Sequence, residues 1–354
     1  MKKKRNIIYK RKNKRTLFKR RGKNQSNKYI KYILKAFTIL CLLTLYVNIK
    51  NNNGNLKNNN DNKKNNNGNK EKYFTCLASM VKMENRYIRE SVEHYLKIGV
   101  EKFYFGEDNE LNGEKIADVL QDYIDKGIVK VKQVRNLNWI NEDFFEFTLK
   151  SLKGVCEWII YFDVDEFLEF KNKSMTIKDY LTLDGFNKCD LIKIHWLVYC
   201  DNDLVHYENK PLEERFTKPD YNNGGNKFHK SILRVKDYNI TMWDFSSHQP
   251  NETFLYSCDA AGRYYKMPKP NILGSPNYKY CYIKHYNMKT AEEFVTKILK
   301  GKHQGIEFDA NVINQKIDKF FSCNKVTEEK LSIFEKGLNM TFPKYHDKII
   351  KDNK

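Results

Sequence analysis

Apolar segments and segments of helical periodicity alternate along residues 74–162, and this alternation constrains the fold more than any other feature of the sequence. The apolar segments have the length and the branched or aromatic residues that are typical of strands. Strands that alternate with helices form a parallel sheet with crossover helices. The sequence therefore predicts an α/β fold with strands at 74–81, 102–105, 128–134 and 157–162 and helices at 84–98, 114–126 and 141–152.

The pattern is weaker in the second half of the chain. Residues 191–199 (LIKIHWLVY) are predicted to form another strand, and residues 290–300 an amphipathic helix. Residues 200–285 contain several Gly, Pro and Asn residues and are predicted to be rich in loops. Residues 305–354 are predicted to form short helices or loops.

The fourth predicted strand ends in a group of acids. The stretch WIIYFDVDEFLEF (158–170) passes from apolar residues directly to Asp163, Asp165 and Glu166. Parallel sheets bind ligands beyond the carboxyl ends of their strands, and a buried carboxylate needs a positive partner. Residues two apart on an extended segment point the same way, so Asp163 and Asp165 are predicted to converge on a Mg2+ or Mn2+ ion that shares phosphate oxygens. The alternative is a pair of solvated loop acids.

The first 70 residues differ in composition from the rest. They contain 21 Lys and Arg residues and one acid, which accounts for the whole net charge of +20. Since the basic residues belong to this part, we expect no nucleic-acid partner. Residues 1–28 are predicted to form a basic cytosolic tail, residues 29–49 a transmembrane signal anchor and residues 50–70 an Asn/Lys-rich flexible stem.

Two further features bear on the location of the folded part. A cleaved signal peptide is the alternative to the anchor, but no clear small-x-small cleavage site follows Val47. Seven of the eight cysteines follow the predicted anchor, and none forms a CxxC pair, which disfavours a zinc site. We expect one to three disulfides if that side of the membrane is oxidising.

Two classes of enzyme place an Asp-x-Asp pair after an apolar strand. Phosphohydrolases of the haloacid-dehalogenase type need a Thr or Val two residues after the second Asp, and their motif usually opens the domain. Here Glu166 and Phe167 follow Asp165, and three predicted strands precede it. Nucleotide-sugar glycosyltransferases place the pair after the nucleotide-binding strands, and the sequence favours this class.

Three stretches together resemble glycosyltransferase family 92 and its bacterial relatives. They are MVKMENRYIRESVEHYLKIGVEKFYF (80–105), WIIYFDVDEFLEF (158–170) and IKHYNMKTAEEFVTKILKG (283–301). The resemblance covers about 75–305 in order. Met83 stands where the family usually has Asn, Ser91 where it usually has Trp, and GEDNELNGE (106–114) replaces a D-N-x-S-x-D-like loop.

The resemblance implies a GT-A fold over residues 71–354, with a Rossmann-like, mostly parallel sheet. It also implies a UDP-sugar donor, with galactose favoured, a glycan acceptor, Mn2+ (or Mg2+) and inversion at the anomeric carbon. Glu166 would orient a metal ligand. Lys297 and Lys302 are further candidates for the diphosphate, and Trp196 and Trp243 for stacking on sugars.

The remaining site residues fall into three groups. The nucleotide-sugar is predicted to contact Glu84, Asp108, Asp163, Lys230, Arg234 and Lys289. The metal is predicted to contact Asp163, Asp165, His285 and His248, the last two being competing candidates for a third ligand. An inverting transfer needs one general base, and Asp244, Glu213 and Glu214 are candidates because they lie in the acceptor-side half.

The sequence thus predicts a membrane-anchored hexosyltransferase. It would face the Golgi lumen in a eukaryotic host and lie at the cell membrane otherwise. An inactive GT-A domain that acts as a membrane scaffold or lectin is the first rival hypothesis, and a metal-dependent phosphohydrolase is the second.

Overall fold

The computed structural model describes residues 71–238, 250, 255–265, 274–302 and 306–352. The predicted tail, anchor and stem lie outside the described residues. None of the helices among the described residues is long and apolar enough to span a membrane.

Nine strands and nine α-helices form in the described part of the chain. The strands are β1 (Tyr73–Val81), β2 (Lys102–Glu107), β3 (Val129–Gln133), β4 (Cys156–Tyr161), β5 (Glu166–Phe170), β6 (Leu191–Val198), β7 (His229–Arg234), β8 (Ser257–Asp259) and β9 (Cys281–His285). The helices are α1 (Asn85–Lys97), α2 (Ala117–Asp125), α3 (Asn141–Ser151), α4 (Ile177–Leu181), α5 (Leu212–Arg215), α6 (Ala291–Leu299), α7 (Ala310–Cys323), α8 (Glu328–Leu338) and α9 (Pro343–Asp352).

The first four strands form the parallel part of the sheet, in the order β3-β2-β1-β4. β1 pairs in parallel with both β2 and β4, and β2 pairs in parallel with β3. Helices α1, α2 and α3 make the crossovers between these strands. The predicted strand and helix alternation is therefore confirmed for this part, with element ends shifted by up to three residues.

The other strands make the sheet mixed. Beyond β4 the order continues β7-β6-β9-β5, with β8 beside β6. The β4–β7, β7–β6 and β9–β5 pairs are antiparallel, whereas β6 pairs in parallel with β8 and β9. The expectation of loops over residues 200–285 therefore missed β7 and β8, whereas β9 forms at the strand-like segment YCYIK (280–284). Short strands separated by long connections leave little periodic signal in the sequence.

Apolar residues cover both faces of the parallel part, as a doubly covered sheet requires. Leu77 faces the helices α1 and α2 and packs with Ile88 and Phe103, whereas Ala78 faces α3 and packs with Phe144. The strand ends are the remaining place for a ligand, because both faces are filled.

The C-terminal residues form more regular structure than predicted. Helices α7, α8 and α9 pack with α6 around a separate apolar cluster that includes Phe294, Phe320 and Phe334. A disulfide between Cys200 and Cys323 joins the end of α7 to the segment after β6.

Two further disulfides link Cys76 to Cys156 and Cys189 to Cys258. Cys281 is buried and free. The expectation of one to three disulfides is therefore confirmed.

Candidate active site

The acidic turn lies at the carboxyl end of β4, between β4 and β5. The backbone N–H of Glu166 donates to the carbonyl of Asp163 (3.1 Å), and the Glu166 carboxylate accepts from the N–H of Asp163 (2.9 Å). Asp165 and Glu166 are buried, whereas 41% of the Asp163 side chain is exposed. The turn thus directs two carboxylates inward and leaves one at the surface.

Lys230 neutralises one side of this turn. It lies on β7, which runs antiparallel to β4, and its Nζ is 2.8 Å from Asp163 Oδ2 and 3.7 Å from Glu166 Oε2. Burial lowers the pKa of Lys230, but the carboxylates of Asp163 and Glu166 outweigh it and raise the pKa overall. The ammonium group therefore stays charged, which makes the buried acids tolerable.

Two lysine side chains pair with Asp165. Its Oδ2 lies 2.7 Å from Lys289 Nζ and 3.4 Å from Lys297 Nζ. Burial opposes ionisation of Asp165, but Lys289 and Lys297 hold its pKa well below the usual range. Lys289 has a left-handed backbone conformation (φ +53°), a strained arrangement of the kind that is common at functional sites.

His285 faces the acids from the end of β9. It is the register partner of Glu166, and its ring packs on Trp196 with a centroid distance of 4.1 Å. Its Nε2 lies 4.0 Å from Asp165 Oδ1 and 3.7 Å from Glu166 Oε1. Burial lowers the pKa of His285 well below its usual value, so the imidazole is neutral and able to bind a metal.

This group of side chains fits a divalent cation. Glu166 Oε1 is buried without a hydrogen-bond partner, and burial raises the pKa of Glu166 well above the usual range despite the charge of Lys230. A carboxylate oxygen of this kind gains from a cation, and oxygen and imidazole ligands suit Mn2+. His285 with either Asp165 or Glu166 would hold the ion, because in the described part of the chain these residues do not bring three ligand atoms within 4.8 Å of one another.

The predicted metal ligands are brought together only in part. Asp165 and His285 face each other, but Asp163 is held by Lys230. His248 lies outside the described residues. Glu166, expected only to orient a ligand, faces His285 directly.

The predicted nucleotide residues lie at the same edge of the sheet. Glu84 follows β1, and its Oε1 is 2.8 Å from Lys300 Nζ. Asp108 follows β2, is buried, and has its Oδ1 3.5 Å from Arg135 Nη1. The sequence interpretation missed Arg135 and Lys300, although Arg135 follows a predicted strand end, the signal that singled out Asp108.

Other predicted residues lie away from this cluster. The Arg234 guanidinium packs on the ring of Trp158, four residues along β7 from Lys230. Lys302 lies near the ring of Phe308. Trp243 and Asp244 lie outside the described residues.

The two candidate bases on α5 are also outside the cluster. Glu213 pairs with Lys284 (2.6 Å), and Lys284 points to the face of the β5–β9 pair opposite to Glu166 and His285, because side chains alternate along a strand. Glu214 is exposed on α5. The placement of Glu213 and Glu214 argues against their predicted role as the base.

Comparison with known proteins identifies the family. Residues 71–315 match the model of glycosyltransferase family 92. A family 92 protein of Ricinus communis is 28% identical over 92 residues, which cover 26% of this chain and 16% of that protein. A family 92 protein of Oryza sativa subsp. japonica is 28% identical over 108 residues, which cover 30% of this chain and 18% of that protein. The matched segment thus spans less than a fifth of either relative.

Two solved structures are also similar in part. S. aureus TarS 1-349 in complex with UDP-GlcNAc is 14% identical, with 75% of this chain and 72% of that chain covered and a TM-score of 0.33. The galactosyltransferase LgtC in complex with donor and acceptor sugar analogs is 10% identical, with 73% and 99% covered and a TM-score of 0.32. Because the family model matches more than half of its length, this chain belongs to glycosyltransferase family 92.

Proposed function

We propose that the protein is a metal-dependent glycosyltransferase of the GT-A type. It transfers a hexose, with galactose favoured, from a UDP-sugar to a glycan acceptor with inversion. The observation that carries this proposal is the meeting of Asp165, Glu166 and His285 with buried lysines at the carboxyl end of the sheet. Family membership supports the same reaction class.

The site has the charges that a sugar diphosphate requires. A bound Mn2+ or Mg2+ ion supplies Lewis-acid stabilisation of the leaving diphosphate. Lys289 and Lys297 fix the orientation of Asp165 and bring positive charge to the same edge. Lys230 does the same for Asp163, whose partly exposed carboxylate is open to a ribose hydroxyl.

The nucleoside is assigned to the adjacent strand ends. Glu84 and Asp108 follow β1 and β2 and present carboxylates that accept hydrogen bonds from ribose hydroxyls or the base. Arg135 and Lys300 hold these carboxylates in place. The loop 106–114, which contains Asp108, departs from the family pattern, and the Asp108 side chain is fully buried beside Arg135.

The base for the acceptor hydroxyl is assigned to Asp244. Glu213 is a poor proton acceptor, because its contact with His94 and its pairing with Lys284 outweigh burial and lower its pKa to about 2. Asp244 lies outside the described residues and is proposed because it belongs to the acceptor-side half of the sequence.

We also propose that the catalytic domain lies in an oxidising compartment, tethered by the predicted anchor. Three disulfides support this location, because such bonds persist mainly outside the cytosol. In a eukaryotic host the compartment is the Golgi lumen, and in another host the anchor lies in the cell membrane.

The test measures release of uridine diphosphate from a panel of UDP-sugars by the full chain with Mn2+. Asp165→Asn removes a charge that faces both the lysines and the metal site, so we expect turnover to fall at least about a hundredfold. Asp125→Asn, an exposed change on α2, is the matched control and should keep wild-type turnover.

Absence of turnover together with absence of Mn2+-dependent nucleotide binding would overturn the proposal in favour of the scaffold hypothesis. Hydrolysis of a simple phosphate ester with Mg2+, without transfer to any acceptor, would favour the phosphohydrolase.

A further inference from the structure

Five lysines lie at the end of α6, in the segment that follows it and on α7, and Lys302 and Lys316 both pack on the ring of Phe308. Lys297 and Lys300 pair with Asp165 and Glu84. For the other three, no carboxylate lies within 4.0 Å of the ammonium group in the part of the chain that the structure describes. These three are Lys302, Lys316 and Lys319.

The two lysines of α7 share one side of the helix. Lys316 and Lys319 are three residues apart and are therefore neighbours on the helix surface. Phe320 follows Lys316 by four residues, on the same side of α7, and packs on Phe294 of α6 with a centroid distance of 5.0 Å. Lys316 Nζ lies 4.1 Å from the centroid of the Phe308 ring. Packing thus fixes which way this pair of lysines faces.

A disulfide brings this side of α7 close to the candidate active site. Cys323 follows Lys319 by about one helical turn and is bonded to Cys200. The neighbouring residue Tyr199 donates its backbone N–H to the carbonyl of His285 (3.1 Å). The disulfide thus connects α7 to the segment that is hydrogen-bonded to His285.

Holding these lysines together is unfavourable without an anion. Like charges three or four residues apart destabilise a helix. Burial and the charges of Lys297 and Lys319 lower the pKa of Lys316 to about 8. Bound phosphate groups would remove this repulsion, because two adjacent phosphates present several charged oxygens to point-charge ligands such as lysine.

We infer that Lys316 and Lys319 bind the diphosphate of the nucleotide donor and of its product, together with Lys297. This inference rests on the proposed function and extends its site to α7. Both lysines follow residue 315, where the match to the family model ends. We assign the diphosphate as the bound anion, because Lys297 contacts Asp165, the proposed metal ligand, and so connects these lysines to the metal site.

The experiment measures binding of two probes to the full chain by calorimetry, UDP with Mn2+ and inorganic pyrophosphate. In the double variant Lys316→Gln and Lys319→Gln, we expect both affinities to fall at least about tenfold. The matched control removes two exposed lysines from α8 and α9 (Lys336→Gln and Lys351→Gln), and both affinities should stay within about twofold. Lys316→Arg with Lys319→Arg keeps the charge and should retain most of the binding.

Each outcome separates this inference from the proposed function. Unchanged affinity of the Gln variant for both probes overturns the role of α7 and leaves the transferase intact. Loss of pyrophosphate binding in that variant, with no UDP binding even in the wild type, supports the lysine site and overturns the UDP donor. A wild-type chain that binds neither probe overturns both. Equal thermal midpoints of the two double variants show that the variants are folded.

Discussion

The surroundings of a charged side chain determine whether it can accept a proton, and Glu213 is the clearest example. Its carboxylate contacts Lys284 at 2.6 Å and His94 at 3.6 Å, and Lys284 also pairs with Glu169 at 2.6 Å. The contact with His94 is the largest cause of its low pKa, followed among the lowering causes by the hydrogen bond from Lys284, while burial opposes them. A carboxylate held in this way stabilises the fold rather than accepting a proton.

Replacing Glu213 by Gln should therefore alter acid stability and leave transfer intact. The folded pKa of about 2 lies below the ordinary value of 4.5, so the stabilising effect is present above pH 4.5 and is lost as the pH falls toward 2. We expect a flatter dependence of unfolding free energy on pH between these values in Glu213→Gln, with turnover within about threefold of the wild type.

Glu214→Gln, an exposed neighbour, is the control for that experiment. A loss of turnover of about a hundredfold or more in Glu213→Gln, with an unchanged acid transition, would return Glu213 to the role of general base.

Met83 illustrates a departure from the family at the backbone level. Its φ of +51° lies in the left-handed region, which Asn tolerates better than most residues. The resemblance to the family includes an Asn at this position, so the backbone conformation gives a physical reason for the usual residue.

At the scale of secondary-structure elements, the turn that follows β8 closely approaches the turn at Gly185. Gly262 follows β8, has φ +77°, and a Cβ atom built on it would lie 2.9 Å from the backbone carbon and oxygen of Gly185. Gly154 precedes β4 with a similar φ of +71°, but an added Cβ there meets nothing within 4 Å. Substitutions at the two glycines therefore distinguish the cost of the left-handed backbone conformation from the cost of steric overlap.

We expect Gly154→Ala to lower the free energy of unfolding by about 1 kcal/mol, because Ala disfavours the left-handed region. Gly262→Ala adds an overlap with backbone atoms that no side-chain rotation relieves, so its loss should exceed that of Gly154→Ala by about 2 kcal/mol. Denaturant unfolding of both variants measures the difference. Equal losses would mean that the Gly185 turn moves freely and that the contact is not needed.

At the scale of the whole molecule, disulfides join segments that are distant in sequence. The bonded cysteines are 80, 69 and 123 residues apart in sequence. The pair with the largest separation joins α7 to the segment after β6. Removal of a native disulfide commonly costs about 2–5 kcal/mol. The sheet and the C-terminal helices are therefore expected to depend on an oxidising environment.

Alkylation of the denatured full chain, followed by mass spectrometry, tests this expectation. Without a reductant, the six paired cysteines should remain unlabelled, while buried Cys281 is labelled once the chain unfolds. With a reductant all of them should react, and the thermal midpoint of the reduced protein should fall. Labelling of Cys200 and Cys323 in the unreduced chain would contradict both the bond and the proposed oxidising compartment.

Local patterns in the sequence determined the parallel half of the fold and the place of its acids. β1, β2 and β4 are mostly apolar, β3 (VKVKQ) alternates Val with polar residues, and such local patterns need no knowledge of distant residues. The position of Asp163 and Asp165 at a strand end follows from the same pattern. So does the amphipathic helix α6, whose N-cap Thr290 marks its start.

Only the tertiary structure decided which side chains meet these acids. The β5–β9 pairing places His285 opposite Glu166, and the β4–β7 pairing places Lys230 beside Asp163. The same β5–β9 register puts Lys284, and with it Glu213, on the other face of the strands. Strand partners far apart in sequence are chosen by long-range packing, and a shift of one residue in register exchanges the two faces, so local periodicity does not encode the choice.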